Sequence, residues 1–381
     1  MSVVHLLRIS LESPTLIVAR SGRGGYSSLD WIPGTVLRGA LITGAVRYGY
    51  VGEEYASREI TDPSCVVHPA YPVHRNLGHE EVCKPATPFV YKCKEGELID
   101  VLGRDKIEEL SKVSSKDELL EMIPKNVDLK CPLMRGVPGS TKPAQGSLVF
   151  HSGGKLRSHE VEVEVLTSVG INKRLRAHET GMLFNYEVLV PGQEFITLAI
   201  YPEEVARFVK EVGEIWIGRG TSRGLGRAKV DVVKETSVQE IVPELQDRAM
   251  EEIAKVGDEC RFVLYARSLV TRLKGPWISS PIPGDPEGWE VSPEVVMDGG
   301  EPLVLGRTAV FSSFSNSTGI PRPQLMCSER GSVFLMRAKG SEDKVAEALA
   351  RAAVLGWDGL SHLGLNILLP LGWWYDDPLY R

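Results

Sequence analysis

A chain of 381 residues, 43% apolar and 25% charged, is composed like a globular protein that buries a core, and is long enough for two domains. A formal net charge of −6 excludes a surface that binds nucleic acid indiscriminately but leaves room for a local basic groove. No apolar run reaches the ~18–20 residues of a membrane span, and six cysteines without a CxxC pair fit a reducing cytoplasm better than a disulfide scaffold, so a cytoplasmic location and no membrane partner are expected.

In chain order, Val3 to Val18 is β-rich. Period-2 stretches such as His5-Leu6-Leu7-Arg8-Ile9 read as a first strand rather than a secretory signal. It runs into a glycine turn, Arg20-Ser21-Gly22-Arg23-Gly24-Gly25. Thr35 is placed to cap a helix over Val36 to Tyr48. Residues 51–150 hold nine prolines, four of the six cysteines and three of the eight histidines, as expected of a long irregular insertion. Within it a charged helix is expected from Lys106 to Met122. The alternation Val161-Glu162-Val163-Glu164-Val165 predicts a strand. A basic hinge, Gly170 to His178, leads to strands over Met182 to Val190 and Glu194 to Tyr201, joined at Pro191-Gly192. A helix over Glu203 to Val212 precedes the loop Gly218-Arg219-Gly220-Thr221-Ser222-Arg223-Gly224-Leu225-Gly226-Arg227. A strand over Ala228 to Val233 closes this half.

Strand, helix, strand, strand, helix, strand is the order of a ferredoxin-like unit. Lys234 to Asp258 is charged, helical around Glu244 to Lys255, and reads as a connector. The order then partly recurs. Strands are expected at Arg261 to Val270, Leu303 to Phe311 and Arg330 to Met336. A helix capped by Ser341 runs to Leu355, a glycine loop spans Gly356 to Gly364, and a strand covers Leu365 to Leu371. Helix, glycine loop and strand thus appear twice, a weak internal duplication. The expected architecture is α+β with two ferredoxin-like (RNA-recognition-motif-like) units. The first covers 1–235, with a large irregular insertion at about 51–155. A connector follows over 236–258, and the second, degenerate unit covers 259–381.

The loop at 218–227 carries the clearest chemistry. Its glycines free the backbone for positive φ and close approach to a ligand. Its arginines and exposed amides match the oxygens of a polyanion. It lacks the Gly-Lys-Ser/Thr of a P-loop, and it precedes a strand rather than opening a helix as a dinucleotide fingerprint does. The loop at 356–364 has no Lys or Arg, so only the first is built for an anion.

Ile32-Pro33-Gly34-Thr35-Val36-Leu37-Arg38-Gly39-Ala40 resembles the motif that follows the first strand of RAMP proteins, the RNA-binding subunits of CRISPR-Cas effectors. Gly218 to Gly226 is similar to their signature glycine-rich loop. Arg176-Ala177-His178-Glu179-Thr180-Gly181-Met182-Leu183-Phe184, Pro191-Gly192-Gln193-Glu194-Phe195, Ala70-Tyr71-Pro72 and Lys84-Pro85-Ala86-Thr87-Pro88 resemble stretches of the two-unit, Cas-five-like subunit of type III-D complexes. Asn172 departs from the pattern, since many relatives carry Asp there. The resemblance covers nearly the whole chain. It implies a non-catalytic subunit that holds the 5′-tag region of the CRISPR guide RNA. It also implies partners: the large nuclease/cyclase subunit and a neighbouring backbone RAMP subunit.

The candidate RNA-binding residues are Arg219, Gly220, Thr221, Ser222, Arg223, Gly224, Gly226 and Arg227 in the loop, with the amides of Gly220 to Gly226 as donors. Arg20, Arg23 and Arg38 form a second basic rim; surface charge on a hairpin is the bland alternative. Lys173, Arg174, Arg176 and His178 form either a clamp or a solvated charge run. Asp30, before the Ile-Pro-Gly motif, is the candidate for a competing activity. There the chain is a metal-dependent endoribonuclease that cuts target RNA, or one that processes guide RNA through His178 or His5. A capping aspartate is the simpler reading. A phosphometabolite enzyme with a small closed pocket is a further alternative. No cofactor is required. A structural zinc is conceivable from Cys65, His68, Cys83 and Cys131, with Cys93, His74 and His79 nearby in sequence, although separate thiols fit as well. The Leu371-Gly372-Trp373-Trp374-Tyr375 cluster, with Trp357, is expected at a subunit interface.

Overall fold

The computed structural model describes residues 2–380 except 23–24, 77–78, 124–140, 173–176, 276–277, 287–288, 313, 316–319 and 322–323. The protein is mixed α+β, and its sheets are mostly antiparallel. It divides into two compact units, Met1–Val82 with Glu160–Thr236, and Cys83–His159 with Ser237–Arg381.

The first unit begins with β1 (Ser2–Leu11), β2 (Val18–Gly22) and β3 (Gly25–Ser28), then α1 (Gly34–Arg47) and α2 (Glu53–Thr61). β4 (Val66–Val67), β5 (Tyr71–Asn76) and β6 (His79–Val82) follow. After the excursion into the second unit come β7 (Val163–Asn172), β8 (Ala177–Leu189), β9 (Glu194–Pro202), α3 (Glu203–Glu211), β10 (Glu214–Trp216) and β11 (Arg227–Ser237). The main sheet has the order β10-β11-β1-β9-β5-β6, with β4 also on β9. A second sheet has the order β7-β8-β3-β2. The single strand expected over Val3 to Val18 is therefore two. It breaks near Pro14, which has no amide hydrogen to offer a ladder.

Register follows from burial. Along β1, Val4, Leu6, Leu7, Ile9 and Leu11 are all buried, so this strand is covered on both faces and pairs along its length with β9. α3 turns Val205, Ala206, Phe208 and Val209 inward and keeps Glu203 and Glu204 at its N-terminus, where the helix dipole favours them. α1 carries Gly44 against Phe208, and a Cβ at Gly44 would lie 2.5 Å from the Phe208 ring. That glycine lets the two helices approach. Burying a side chain such as Phe208 contributes roughly 1.5–3 kcal/mol. Thr35 does not cap α1. Pro33 occupies that place in extended conformation, and its carbonyl accepts from Val36 and Leu37.

The second unit is built on Glu259–Ala266 and Val333–Lys339, which pair antiparallel along their length. Ala254–Val256 and Leu368–Pro370 flank the first of these, and Glu294–Val295 and Val304–Leu305 flank the second. Helix Glu342–Leu355 starts at the expected cap, with Ser341 accepting from the Lys344 amide. It packs on helix Val238–Met250, which opens with a capping box of Ser237 and Glu240. The expected charged helix from Lys106 to Met122 is two short helices, Ile107–Lys112 and Lys116–Glu121. Val113 is extended between them, and Ser115 caps the second by accepting from Glu118.

The stretch expected as a single insertion divides between the units. Residues 51–82 stay in the first, while 83–159 fold with the second. The physical reason is a buried apolar set, including Phe89, Val90, Leu148, Val149 and Phe150, together with a tie to the C-terminus: the Trp374 indole N–H donates to the Pro85 carbonyl at 2.9 Å. Trp357, Trp373 and Trp374 are buried, so this aromatic cluster is core rather than the expected interface.

Candidate nucleic-acid interface

The loop between β10 and β11 is built by its glycines. Gly218, Gly220, Gly224 and Gly226 all have positive φ. At Gly218 a Cβ would lie 2.2 Å from the Leu16 carbonyl oxygen, and at Gly226 one would lie 2.0 Å from that of Ile217, so neither site admits a side chain. These close approaches let the backbone hydrogen-bond at both ends of the loop. The Arg219 amide donates to Leu16 at 2.8 Å, and the Gly226 amide to Pro14 at 2.9 Å. Between these anchors Thr221–Arg223 form one 3₁₀ turn, with left-handed glycines Gly220 and Gly224 at either end.

The turn narrows the expected set of amide donors. Arg223 donates to Gly220, Gly224 to Thr221, Leu225 to Gly220 and Gly226 to Pro14. Among the described residues the amides of Gly220, Thr221 and Ser222 have no acceptor, and Thr221 and Ser222 are exposed. Only these three remain for a ligand, because the others close the turn.

The arginines differ in what they face. Arg219 lies over the Tyr26 ring, 4.5 Å from its centroid. Arg223 donates to the Tyr186 hydroxyl at 3.2 Å. Tyr26 and Tyr186 are register partners on β3 and β8 and stack with centroids 5.6 Å apart at an interplanar angle of 6°. Arg227 instead pairs with Glu12 at 3.1 Å and Glu214 at 3.3 Å, and the Lys229 ammonium donates to the Val212 carbonyl. Arg219 and Arg223 are thus the loop cations with no carboxylate partner among the described side chains. Sequence reading missed the tyrosines. They stand 160 positions apart, and only the parallel pairing of β3 with β8 brings them together.

The sequence profile of the RAMP superfamily matches residues 8–229, from within β1 to just past the glycine loop. The chain belongs to the RAMP superfamily. No curated protein sequence matches it. Among solved structures, a chain of the cryo-EM structure of the Type III-B Cmr-beta bound to cognate target RNA is similar over 87% of this chain and 86% of that one, with 12% identity and a TM-score of 0.46. A chain of the Cmr-beta apo-state structure is similar over 61% of this chain and 97% of that one, with 12% identity and a TM-score of 0.31. Oligomeric Cmr4 from Pyrococcus furiosus is similar over 62% and 99%, with 14% identity and a TM-score of 0.24.

In this RAMP chain the remaining candidates are dispersed. Arg38 is not part of an open rim. Its guanidinium donates to the Glu59 carboxylate at 2.7 Å and to the Glu59 carbonyl at 2.6 Å, and Glu59 is 3% exposed. Ser64 and Cys65 also donate to that carboxylate, and these bonds together with Arg38 hold its pKa below the usual range despite burial. Arg38 therefore locks α1 to α2. Arg20 lies on β2, backbone-paired with Ser27, and Arg23 lies outside the described residues. So do Lys173, Arg174 and Arg176, whereas His178 pairs through its backbone with Ile171 on β7. Asp30 sits half-buried in the bend between β3 and α1.

His5, one candidate for guide processing, is fully buried. Its ring bonds the Tyr201 hydroxyl at 2.7 Å and Glu235 at 3.1 Å, and burial lowers its pKa. A histidine so enclosed has no access to an RNA 2′-hydroxyl. For zinc, no group of three or more His, Cys, Asp and Glu side chains that could hold a metal occurs among the described residues. Cys65 shares a hydrogen bond with the Tyr55 hydroxyl, and burial pushes its thiol up to about 11, which disfavours the thiolate that zinc takes. His68 and Cys83 are buried too, and Cys131 lies outside the described residues. No described helix is long and apolar enough to cross a membrane.

Proposed function

We propose that this chain is a non-catalytic RNA-binding subunit of a type III CRISPR effector complex, working in the cytoplasm without a required cofactor. It holds the 5′-tag region of the guide RNA and contacts the large nuclease/cyclase subunit and a backbone RAMP subunit. The observation that carries the reading is the open turn at Gly220–Arg223. There the unpaired amides of Gly220, Thr221 and Ser222 stand beside Arg219 and Arg223, which no described carboxylate neutralises. Amides and guanidinium groups both match phosphate oxygens, and contacts of this kind position a strand without reading its bases.

Membership of the RAMP superfamily supports the reading, as does the place of the loop before β11. The order β11-β1-β9-β5, with α1 and α3 as the connecting helices, supports a ferredoxin-like first unit. In the second unit, Leu368–Pro370, Glu259–Ala266, Val333–Lys339 and Val304–Leu305 follow the same order. Helix Glu342–Leu355 lies in the chain between Val333–Lys339 and Leu368–Pro370, and no described helix connects Glu259–Ala266 to Val304–Leu305, which supports a degenerate copy.

The test is to purify the tagged full-length chain from its native host and sequence the RNA that comes with it. The reading expects short RNAs sharing one repeat-derived 5′ end. It also expects them to stay intact when magnesium is added. Cleavage that disappears in Asp30→Ala would contradict the non-catalytic role.

A further inference from the structure

The two loop arginines that no described carboxylate pairs are held by aromatic groups. Arg219 is stacked on Tyr26, and Arg223 is hydrogen-bonded to Tyr186. The two rings are themselves stacked, so arginine, tyrosine and tyrosine form one assembly along the β3–β8 pairing. The backbone reinforces its register. At Gly25, next to Tyr26, a Cβ would lie 2.0 Å from the Asn185 carbonyl oxygen, so only glycine lets β3 close on β8 there.

The chemistry of this holding differs from that of an ion pair. A carboxylate that fixes a guanidinium also cancels its charge and occupies its N–H groups, as Glu59 does for Arg38. A ring face fixes a guanidinium through its π surface and leaves the in-plane N–H donors available. A phenol oxygen takes one N–H and adds no negative charge. An exposed arginine is thereby ordered before its ligand arrives, which reduces the side-chain entropy lost on binding.

We propose that Tyr26 and Tyr186 are positioning residues that pre-organise Arg219 and Arg223 for phosphate oxygens of bound RNA. The inference rests on the RNA-binding reading above. It assigns each tyrosine to one arginine: the Tyr26 ring to Arg219, and the Tyr186 hydroxyl to Arg223.

The test is a double-mutant cycle on the full-length chain. The probe is an end-labelled single-stranded RNA with the sequence that co-purifies from the host, followed by fluorescence anisotropy over a KCl series. Tyr26→Phe, which keeps the ring, is expected to bind within about twofold of the parent, and Tyr26→Leu to bind about two- to fivefold more weakly. In an Arg219→Ala background the Tyr26→Leu step should have no further effect. Tyr186→Phe should weaken binding when Arg223 is present and not in Arg223→Ala. Phe at either position keeps the packing, so a folding defect would not mimic this pattern. If each tyrosine change costs the same with and without its arginine, the positioning role is overturned while the RNA-binding reading stands. If Arg219→Ala and Arg223→Ala leave affinity unchanged, that reading and this inference both fall.

Discussion

The loops at 218–226 and 356–364 share a plan and are finished in two ways. Each holds a short 3₁₀ helix, Thr221–Arg223 in one and Gly359–Leu363 in the other. Each helix ends on a left-handed glycine, Gly224 with φ 87° and Gly364 with φ 69°. They differ at the start. Gly220 has no side chain to offer, so the amides at that end stay open. Asp358 accepts from the Leu360 amide at 3.0 Å and from the Asn366 side-chain amide at 2.7 Å. Asn366, with φ 53°, holds the backbone of Thr271 from both sides, accepting from its amide and donating to its carbonyl. One loop thus carries its own anion and is sealed, whereas the other lacks one and stands beside two arginines that no described carboxylate pairs. Gly220 is left-handed at φ 85° where Asp358 is extended at φ −152°, so the second turn caps itself with a carboxylate and the first does not.

That contrast can be broken by mutation, the largest effect coming from charge that is already satisfied. Arg38→Ala would leave the Glu59 carboxylate buried without its ion pair and should cost about 3–5 kcal/mol of stability, seen as a large drop in chemical denaturation midpoint. A soluble, equally stable Arg38→Ala protein with reduced RNA retention would instead return Arg38 to the RNA surface. Asp358→Ala should cost about 1–3 kcal/mol, because it strands the Leu360 amide and the Asn366 side chain, and it should leave RNA retention per folded molecule unchanged. Gly224→Ala has open space around its Cβ but a φ of +87°, so strain alone should cost about 1 kcal/mol in thermal unfolding.

Much of this was legible in the sequence. The glycine loop, the helix cap at Ser341 and the strand after the loop all follow from local chemistry, because turn residues, caps and alternation act over a few positions. The missing charge in the second loop was also visible, although its consequence was not. Asp358 counts as one acidic residue in a sequence and becomes an internal cap only when the turn closes around it. The site was read less well, for a different reason. Arg38 and Arg227 look the same in sequence as Arg219 and Arg223, yet Glu59 is 21 positions from Arg38, and Glu12 is 215 positions from Arg227. Which cations are neutralised is set by long-range pairing, and so is the meeting of Tyr26 with Tyr186. The division of residues 51–155 was hidden likewise. A proline-rich stretch shows irregularity and does not show that Phe89 and Phe150 will be buried with the second unit.

The most direct measurement of the central claim is the RNA that co-purifies from the native host with the wild-type chain and with Arg219→Ala/Arg223→Ala, washed over a series of KCl concentrations. The account predicts that the double variant folds like the parent, loses most of its bound RNA, and shows a slope of log affinity against log salt reduced by about two. Equal RNA retention with an unchanged salt slope would contradict it.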